Sequence, residues 1–302
     1  MSELDARGLR RGFGARVAVD GLSLRVEAGE IYGLIGPDGA GKTTALRLLA
    51  GLIDPDAGAV RLAGSDPFDP RGSSRDRLGY MPQQYSLYGD LTVAEHLAFF
   101  REMYGLTAEA FRSRRDRLLE LTRLSEFRDR RAQALSGGMY KKLALACALL
   151  HQPRVLLLDE PTTGVDPLSR RELWDLLQDF LTEGMAIVIA TPYMDEAARC
   201  HRAGMLHRGV LLVEGTPAEL LAAFPHPVFL VRGRPAPLEE DLQRDPEVLA
   251  CTPLSAGLRV VVQAGREAGV LARLEVAGVR ADPTAPSFED VFLAQMRQAE
   301  RS

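Results

Sequence analysis

The run Gly36-Pro37-Asp38-Gly39-Ala40-Gly41-Lys42-Thr43-Thr44 fits the spacing G-x-x-x-x-G-K-[ST] without a gap. Glycines at Gly36, Gly39 and Gly41 let the backbone bend so that N–H groups converge on phosphate oxygens, at a helix N-terminus whose dipole also favours anions. Lys42 would carry a compact point charge to the β- and γ-phosphates, and Thr43 would offer a hydroxyl to Mg²⁺. Only three of the 37 basic residues are lysine, namely Lys42, Lys141 and Lys142. In a chain that otherwise writes positive charge as arginine, a lysine in this loop is what phosphate geometry asks for. Far downstream, Asp159 and Glu160 close the apolar run Val155-Leu156-Leu157-Leu158. Asp159 at a strand's C-terminal edge is placed to hold Mg²⁺, directly or through water. Glu160 beside it points differently and is free to polarise an attacking water as general base.

These residues need elements to hold them. Val17 to Val26 alternates apolar residues, Glu27 to Glu30 turns, and Ile31 to Ile35 is a compact apolar run. The glycine loop follows, then helix formers from Ala45 to Leu52. Strand, glycine loop and helix is the order a phosphate loop requires. Ahead of it, the segment around Phe13 reads as irregular. Residues 92 to 150 are helical in pattern, with Leu97, Phe100 and Tyr104 on one face. Val155 to Leu158 and Ala186 to Ala190 suit parallel strands covered on both faces, so the class is α/β. Composition shifts after Gly215-Thr216-Pro217. Residues 225 to 302 offer short apolar runs at Val228 to Val231 and Val260 to Val262, a helix-like stretch near 265 to 277 and a terminal helix from Ser287 to Arg297. The expected division is therefore 1–216 and 217–302, the second part a small α+β domain.

The chain has 302 residues, 46% hydrophobic and 26% charged, which excludes the disordered and collagen-like classes. A net charge of −4, from 37 basic against 41 acidic side chains, is too balanced to announce nucleic-acid binding. No uncharged run approaches the roughly eighteen residues of a membrane-spanning helix. The start, Met1-Ser2-Glu3-Leu4-Asp5, lacks an apolar signal core, so a cytoplasmic protein is expected. Cys147, Cys200 and Cys251 are too far apart for a metal-ligand pair and read as reduced structural residues.

With Leu135-Ser136-Gly137-Gly138-Met139 ahead of the Asp-Glu pair, residues 4 to 216 resemble the ATP-binding subunits of ABC transporters, on six motifs in the right order. The resemblance implies a P-loop NTPase: a RecA-like core with an antiparallel β subdomain and a helical signature subdomain, binding ATP and Mg²⁺. It implies that Phe13 stacks on adenine, and that Gln83 is the loop glutamine sensing Mg²⁺ and the transport subunit. Ser136, Gly137 and Gly138 would form the signature, and Asp166 would belong to the D-loop. Each has a plainer alternative: Phe13 as a core aromatic, Gln84 in place of Gln83, and Ser136 as the cap of a helix beginning near Gly138. In that family two subunits pair head to tail, so the signature of one closes the site on Lys42 of the other. The partners implied are a second ATPase subunit, identical or different, and separate integral-membrane permease subunits, which place the protein on the inner face of the cell membrane. No nucleic acid is expected.

Two positions depart from the family pattern. Met139 stands where glutamine is usual, at little cost if the serine and the glycine backbone carry the phosphate contacts. Pro192 aligns with the switch-loop histidine that reaches the γ-phosphate, and proline supplies neither a side-chain donor nor a backbone N–H. Loss of one transition-state donor can cost about 3 kcal/mol, roughly a hundredfold in rate. Slow hydrolysis at this site, or a second subunit with the faster site, is the expectation. Aromatics at Tyr85, Tyr88, Phe99, Phe100 and Tyr104 lie where the family receives a permease helix, with ordinary core packing as the plainer reading of each. The arginine-rich stretch 109 to 131 reads chiefly as a solvated helix face, with anionic lipid head groups as the other reading. The phrasing of Gly79 to Gln83, Leu135 to Met139 and Thr163 to Pro167 looks most like bacterial exporters of drugs and other hydrophobic compounds. The alternative is a non-transport relative acting on ribosomes or DNA. Against it, Gln83 and Ser136 lie too close in sequence for a long coiled-coil arm, and the chain holds one cassette where ribosome-acting relatives usually hold two.

Overall fold

The computed structural model describes residues 2–69, 71–72, 74–84, 87–232 and 236–301. It opens on two long antiparallel strands, β1 (Ser2–Phe13) and β2 (Arg16–Glu27), then β3 (Ile31–Ile35), α1 (Lys42–Leu49) and β4 (Ala57–Leu62). β1 pairs on both sides, giving the order β2-β1-β4. The segment leading to Phe13, expected to be irregular, is thus a strand, and a bulged one. Its register shifts between Ala6 and Leu9 and again before Gly12, and these bulges break the alternation that identifies a strand in sequence.

The chain continues through β5 (Leu78–Met81), α2 (Val93–Met103), α3 (Ala108–Leu121), α4 (Gly137–Leu149), β6 (Val155–Asp159), α5 (Pro167–Leu181), β7 (Ala186–Thr191), β8 (Arg202–His207) and β9 (Val210–Gly215). Six strands form the central sheet in the order β5-β6-β7-β3-β8-β9, all parallel except β9. Every residue of β3, β6 and β7 is buried, because both faces are covered. Ile31, Leu156, Leu158, Ile187 and Ile189 face the helices α2 to α5. Leu34, Val155, Leu157, Val188 and Ala190 face α1 and the antiparallel sheet. The period of two fixes which way the last residue of each strand points, and so where Asp159 falls.

The remainder is α6 (Pro217–Ala222), β10 (Val228–Arg232), α7 (Ala236–Arg244), β11 (Val248–Leu254), β12 (Gly257–Val262), α8 (Glu267–Val276), β13 (Ala281–Thr284) and α9 (Phe288–Arg301). Its strands make a third sheet in the order β11-β12-β10-β13, antiparallel throughout. One face buries Val231, Leu242, Val260 and Val270. Helix α9 does not stay with this sheet alone: Phe288, Val291 and Phe292 pack with Ile35, Ala197, Ala203 and Met205 of the first unit. At its start, Arg259 grips the buried Asp290 through two nitrogens, at 2.8 and 2.6 Å. All three cysteines are free thiols, and Cys147 and Cys200 are buried. Among the described residues no helix is long and apolar enough to cross a membrane.

Candidate functional site

The glycine loop joins β3 to α1. Gly41, at φ +108°, turns the chain into the helix, and a Cβ there would stand 2.2 Å from the Ala18 carbonyl oxygen. A Cβ on Gly36 would stand 2.3 Å from the Leu206 carbonyl oxygen. Both positions are therefore closed to any side chain. Ala40 is pinned from outside, its carbonyl accepting the Gly209 N–H at 2.8 Å. The loop is thus clamped between β2 and the β8–β9 hairpin, with the N-terminus of α1 uncapped by any side chain. That is the arrangement an anion needs.

Lys42 lies buried beneath the loop. Its Nζ donates to the carbonyls of Gly36 at 2.8 Å and Pro37 at 3.0 Å, and stands 3.4 Å from Glu160 Oε1. Thr43 Oγ1 donates to Asp159 Oδ1 at 3.1 Å, while Asp159 Oδ2 is buried with no hydrogen-bond partner among the described residues. Burial pushes the Asp159 carboxyl above its usual range, the Thr43 hydrogen bond pulls it down, and the neighbouring Glu160 charge pushes it up again. An orphaned carboxylate oxygen beside a hydroxyl is a pair of hard oxygen donors, which fits Mg²⁺.

Glu160 follows Asp159 in the left-handed region, at φ +50°. This conformation costs a non-glycine residue of order 1–3 kcal/mol and recurs at functional sites. Its N–H is held by the Ala190 carbonyl at 2.8 Å. The turn breaks the strand's alternation, so the two carboxylates separate: Asp159 meets Thr43, and Glu160 meets Lys42 and Gln83. The Gln83 amide donates to Glu160 Oε2 at 2.9 Å, and the Thr163 hydroxyl to the same oxygen at 3.2 Å. Gln83, rather than Gln84, is the amide that reaches the carboxylate.

Phe13, Lys42, Thr43, Thr44, Gln83 and Glu160 line one open cavity of about 450 Å³ together with Asp38, Gly39 and Gly41. Phe13 is 52% exposed, which rules out the core-aromatic alternative, and the Arg11 guanidinium lies 5.1 Å from its ring centre. Arg16 also lines the cavity and donates to the Gly39 carbonyl at 3.1 Å. Sequence reasoning passed over it, although an arginine three residues after an exposed aromatic was the available signal. Ser136, Gly137 and Gly138 are not among the residues lining that cavity. Ser136 caps α4, accepting the Met139 N–H at 3.3 Å, and it stands exposed. Two further lysines acquire contacts that sequence left open: Lys141 Nζ donates to the Gln83 carbonyl at 3.3 Å, and Lys142 pairs with Glu172.

Beyond β7, Pro192 offers no donor to the cavity. The Tyr193 N–H turns back to Thr191 Oγ1 at 3.1 Å, and the Arg170 guanidinium sits 4.0 Å from the Tyr193 ring centre. Of the surface aromatics, Tyr88 and Phe99 are exposed and meet edge to face at 5.5 Å, whereas Phe100 packs against the core and Tyr104 stacks on His151. Tyr85 and Ser86 lie outside the described residues.

A clamped glycine loop, a buried lysine and two divergent carboxylates at the end of a parallel sheet define a P-loop nucleotide-binding ATPase. Residues 19–163 match the family model for the ABC transporter. The chain is 42% identical over 260 residues to the Nod factor export ATP-binding protein I of Paraburkholderia xenovorans, covering 82% of this chain and 85% of that protein. It is 40% identical over 280 residues to the probable multidrug ABC transporter ATP-binding protein YbhF of Escherichia coli, covering 91% of this chain and 48% of that protein. It thus spans about half the length of YbhF. Among solved structures, the dimeric form of a bacterial ABC transporter cassette superposes with a TM-score of 0.64 at 25% identity, over 70% of this chain and 98% of that one. The chain belongs to the ABC transporter family and carries its ATPase cassette.

Proposed function

We propose that the protein hydrolyses ATP to power a separate membrane permease that exports drugs or other hydrophobic compounds. The observation that carries the reading is the convergence of Thr43–Asp159 and Lys42–Glu160–Gln83 around the glycine loop. In this reading the loop amides of Gly36 to Thr44 and Lys42 hold the phosphates, Lys42 exchanging its carbonyl partners for phosphate oxygens. Thr43, Gln83 and Asp159 hold Mg²⁺, which when bound neutralises charge on the phosphate oxygens. Glu160, its carboxylate already oriented by Gln83 and Thr163, takes the proton of the attacking water. Phe13 offers its exposed face to adenine.

Because the signature residues lie away from the cavity, Ser136, Gly137 and Gly138 serve the site of a second subunit paired head to tail. The dimeric solved cassette supports that assembly. Residues 1–216 form the ATPase unit and 217–302 an accessory unit. The exposed pair Tyr88 and Phe99 receives the permease, which places the protein on the cytoplasmic face of the membrane. The relatives named for multidrug transport and for Nod factor export favour export. Pro192 leaves the γ-phosphate one donor short, so turnover is slow unless a different second subunit supplies the faster site.

Two measurements test this. Detergent-solubilised membranes should yield the chain together with an integral-membrane protein; recovery on ribosomes or DNA overturns the transport reading. Purified Pro192→His should hydrolyse ATP faster than the parent, by up to about a hundredfold; unchanged turnover removes the role given to Pro192.

A further inference from the structure

We infer that Lys141 is a positioning residue that links the two nucleotide sites of the dimer, tying the helix that reaches the partner's nucleotide to the loop that orders its own Glu160. The inference rests on the dimeric ATPase reading above. Lys141 stands one turn into α4, whose capping residue is Ser136. Its ammonium crosses to the Gln83 carbonyl at 3.3 Å, and the Gln83 side chain donates to Glu160 Oε2 at 2.9 Å. One helical turn and two side chains therefore run from the signature to the general base. Burial pushes the Lys141 ammonium below its usual range, while the charges of Asp159 and Glu160 push it back up, so the group feels both carboxylates.

The rest of α4 is held so that a pull on its start is passed on rather than absorbed. Lys142 points away from Lys141 and pairs with Glu172 of α5. A Cβ on Gly138 would lie 2.3 Å from Ser169 Oγ, which puts the first turns of α4 and α5 in direct contact. Asp166 caps α5 by accepting the Ser169 N–H at 2.9 Å. The signature and the D-loop therefore shift together, and Lys141 grips the Gln83 backbone beside Tyr140, whose hydroxyl accepts the Leu87 N–H at 2.7 Å. Engagement of Ser136 by the partner's nucleotide moves the Gln83 backbone and with it the amide on Glu160. A lysine suits the place because its single ammonium reaches one carbonyl on a flexible stem.

The test uses the full chain. ATP-dependent dimerisation is followed by light scattering in the Glu160→Gln background, with and without Lys141→Ala, and steady-state hydrolysis is titrated with ATP for the parent, Lys141→Ala and Lys141→Arg. Loss of one hydrogen bond from a charged group predicts a fall in kcat of about tenfold to a hundredfold. The parent should show a Hill coefficient above one that drops to one in Lys141→Ala, with half-saturating ATP within about twofold. Dimerisation should survive, and Lys141→Arg, which also donates to a carbonyl, should keep the cooperativity. A Hill coefficient unchanged by Lys141→Ala overturns the link, as does a non-cooperative parent that dimerises. Loss of dimerisation when Lys141→Ala is added to the Glu160→Gln background would make the residue an assembly contact instead, and the link fails. A Glu160→Gln chain that stays monomeric with ATP defeats the dimer reading itself.

Discussion

The hydroxyl of Thr43 lies 3.1 Å from Oδ1 of Asp159, joining the first turn of α1 to the end of β6 across the full separation of the two motifs in sequence. Thr43→Val removes the hydroxyl and keeps the volume close. The Mg²⁺ concentration for half-maximal hydrolysis should rise about tenfold or more, with nucleotide affinity in the absence of Mg²⁺ little changed. Titration of activity against free Mg²⁺ decides it, and an unshifted midpoint removes Thr43 from the metal site.

Glu160→Gln keeps the shape of the side chain and removes its basicity. Hydrolysis should fall by about a hundredfold to ten-thousandfold while ATP binding persists. Single-turnover hydrolysis beside equilibrium binding of a fluorescent nucleotide separates the two. Retained hydrolysis would mean that another group accepts the proton.

Gly36→Ala places a methyl group 2.3 Å from the Leu206 carbonyl oxygen, so either the loop or β8 must move. Nucleotide binding should be lost, with a stability cost of about 1–3 kcal/mol. Calorimetric titration with ATP is the measurement, and parent-like affinity would show the loop to be less tightly clamped than its contacts indicate.

Asp290→Ala leaves the Arg259 guanidinium, whose side chain is 18% exposed, without its carboxylate. Breaking a buried ion pair from one side costs about 3–5 kcal/mol, and the lower end applies because Arg259 keeps some solvent and its hydrogen bond to the Ala285 carbonyl. Denaturant unfolding should show the loss; a midpoint within error of the parent contradicts it.

Burial holds four imidazoles, His96, His151, His207 and His226, below the usual value of 6.5. Below that value the unfolded chain takes up protons that the folded chain resists, so stability is complete at higher pH and declines as pH falls through 6.5 toward the depressed folded values. Asp159, raised by burial, acts the other way in the range above its usual carboxyl value, as one group against four. Thermal melting at successively lower pH should show a falling midpoint; a rising one would mean that the imidazoles are not the controlling groups.

Much of the site could be read from sequence because its parts are local. Gly36 to Thr44 is a contiguous motif, and Val155 to Leu158 announces a buried strand that ends on Asp159. What sequence left dark depends on pairs of distant residues or on backbone conformation. The left-handed turn at Glu160 separates the carboxylates, yet no residue type signals it. Lys141 finds the Gln83 carbonyl, and a backbone acceptor leaves no trace in composition. Strand β1 was hidden by its bulges, which move Leu9 out of step with Leu4 and Ala6. For α9, periodicity showed that one face is apolar, and could not say that half of it lies against Ile35, Ala203 and Met205.

That last contact orders events in time. The apolar patch of Ile35, Ala203 and Met205 is synthesised long before α9, and all four strands β10 to β13 must emerge in between. Until α9 is made, that patch has Ala197, Leu220 and the partly buried Leu221 and Phe224 packed against it. A stop codon falling ahead of Phe288 uncovers the part of that patch that Phe288, Val291 and Phe292 close, so truncated chains should aggregate more readily than the full chain.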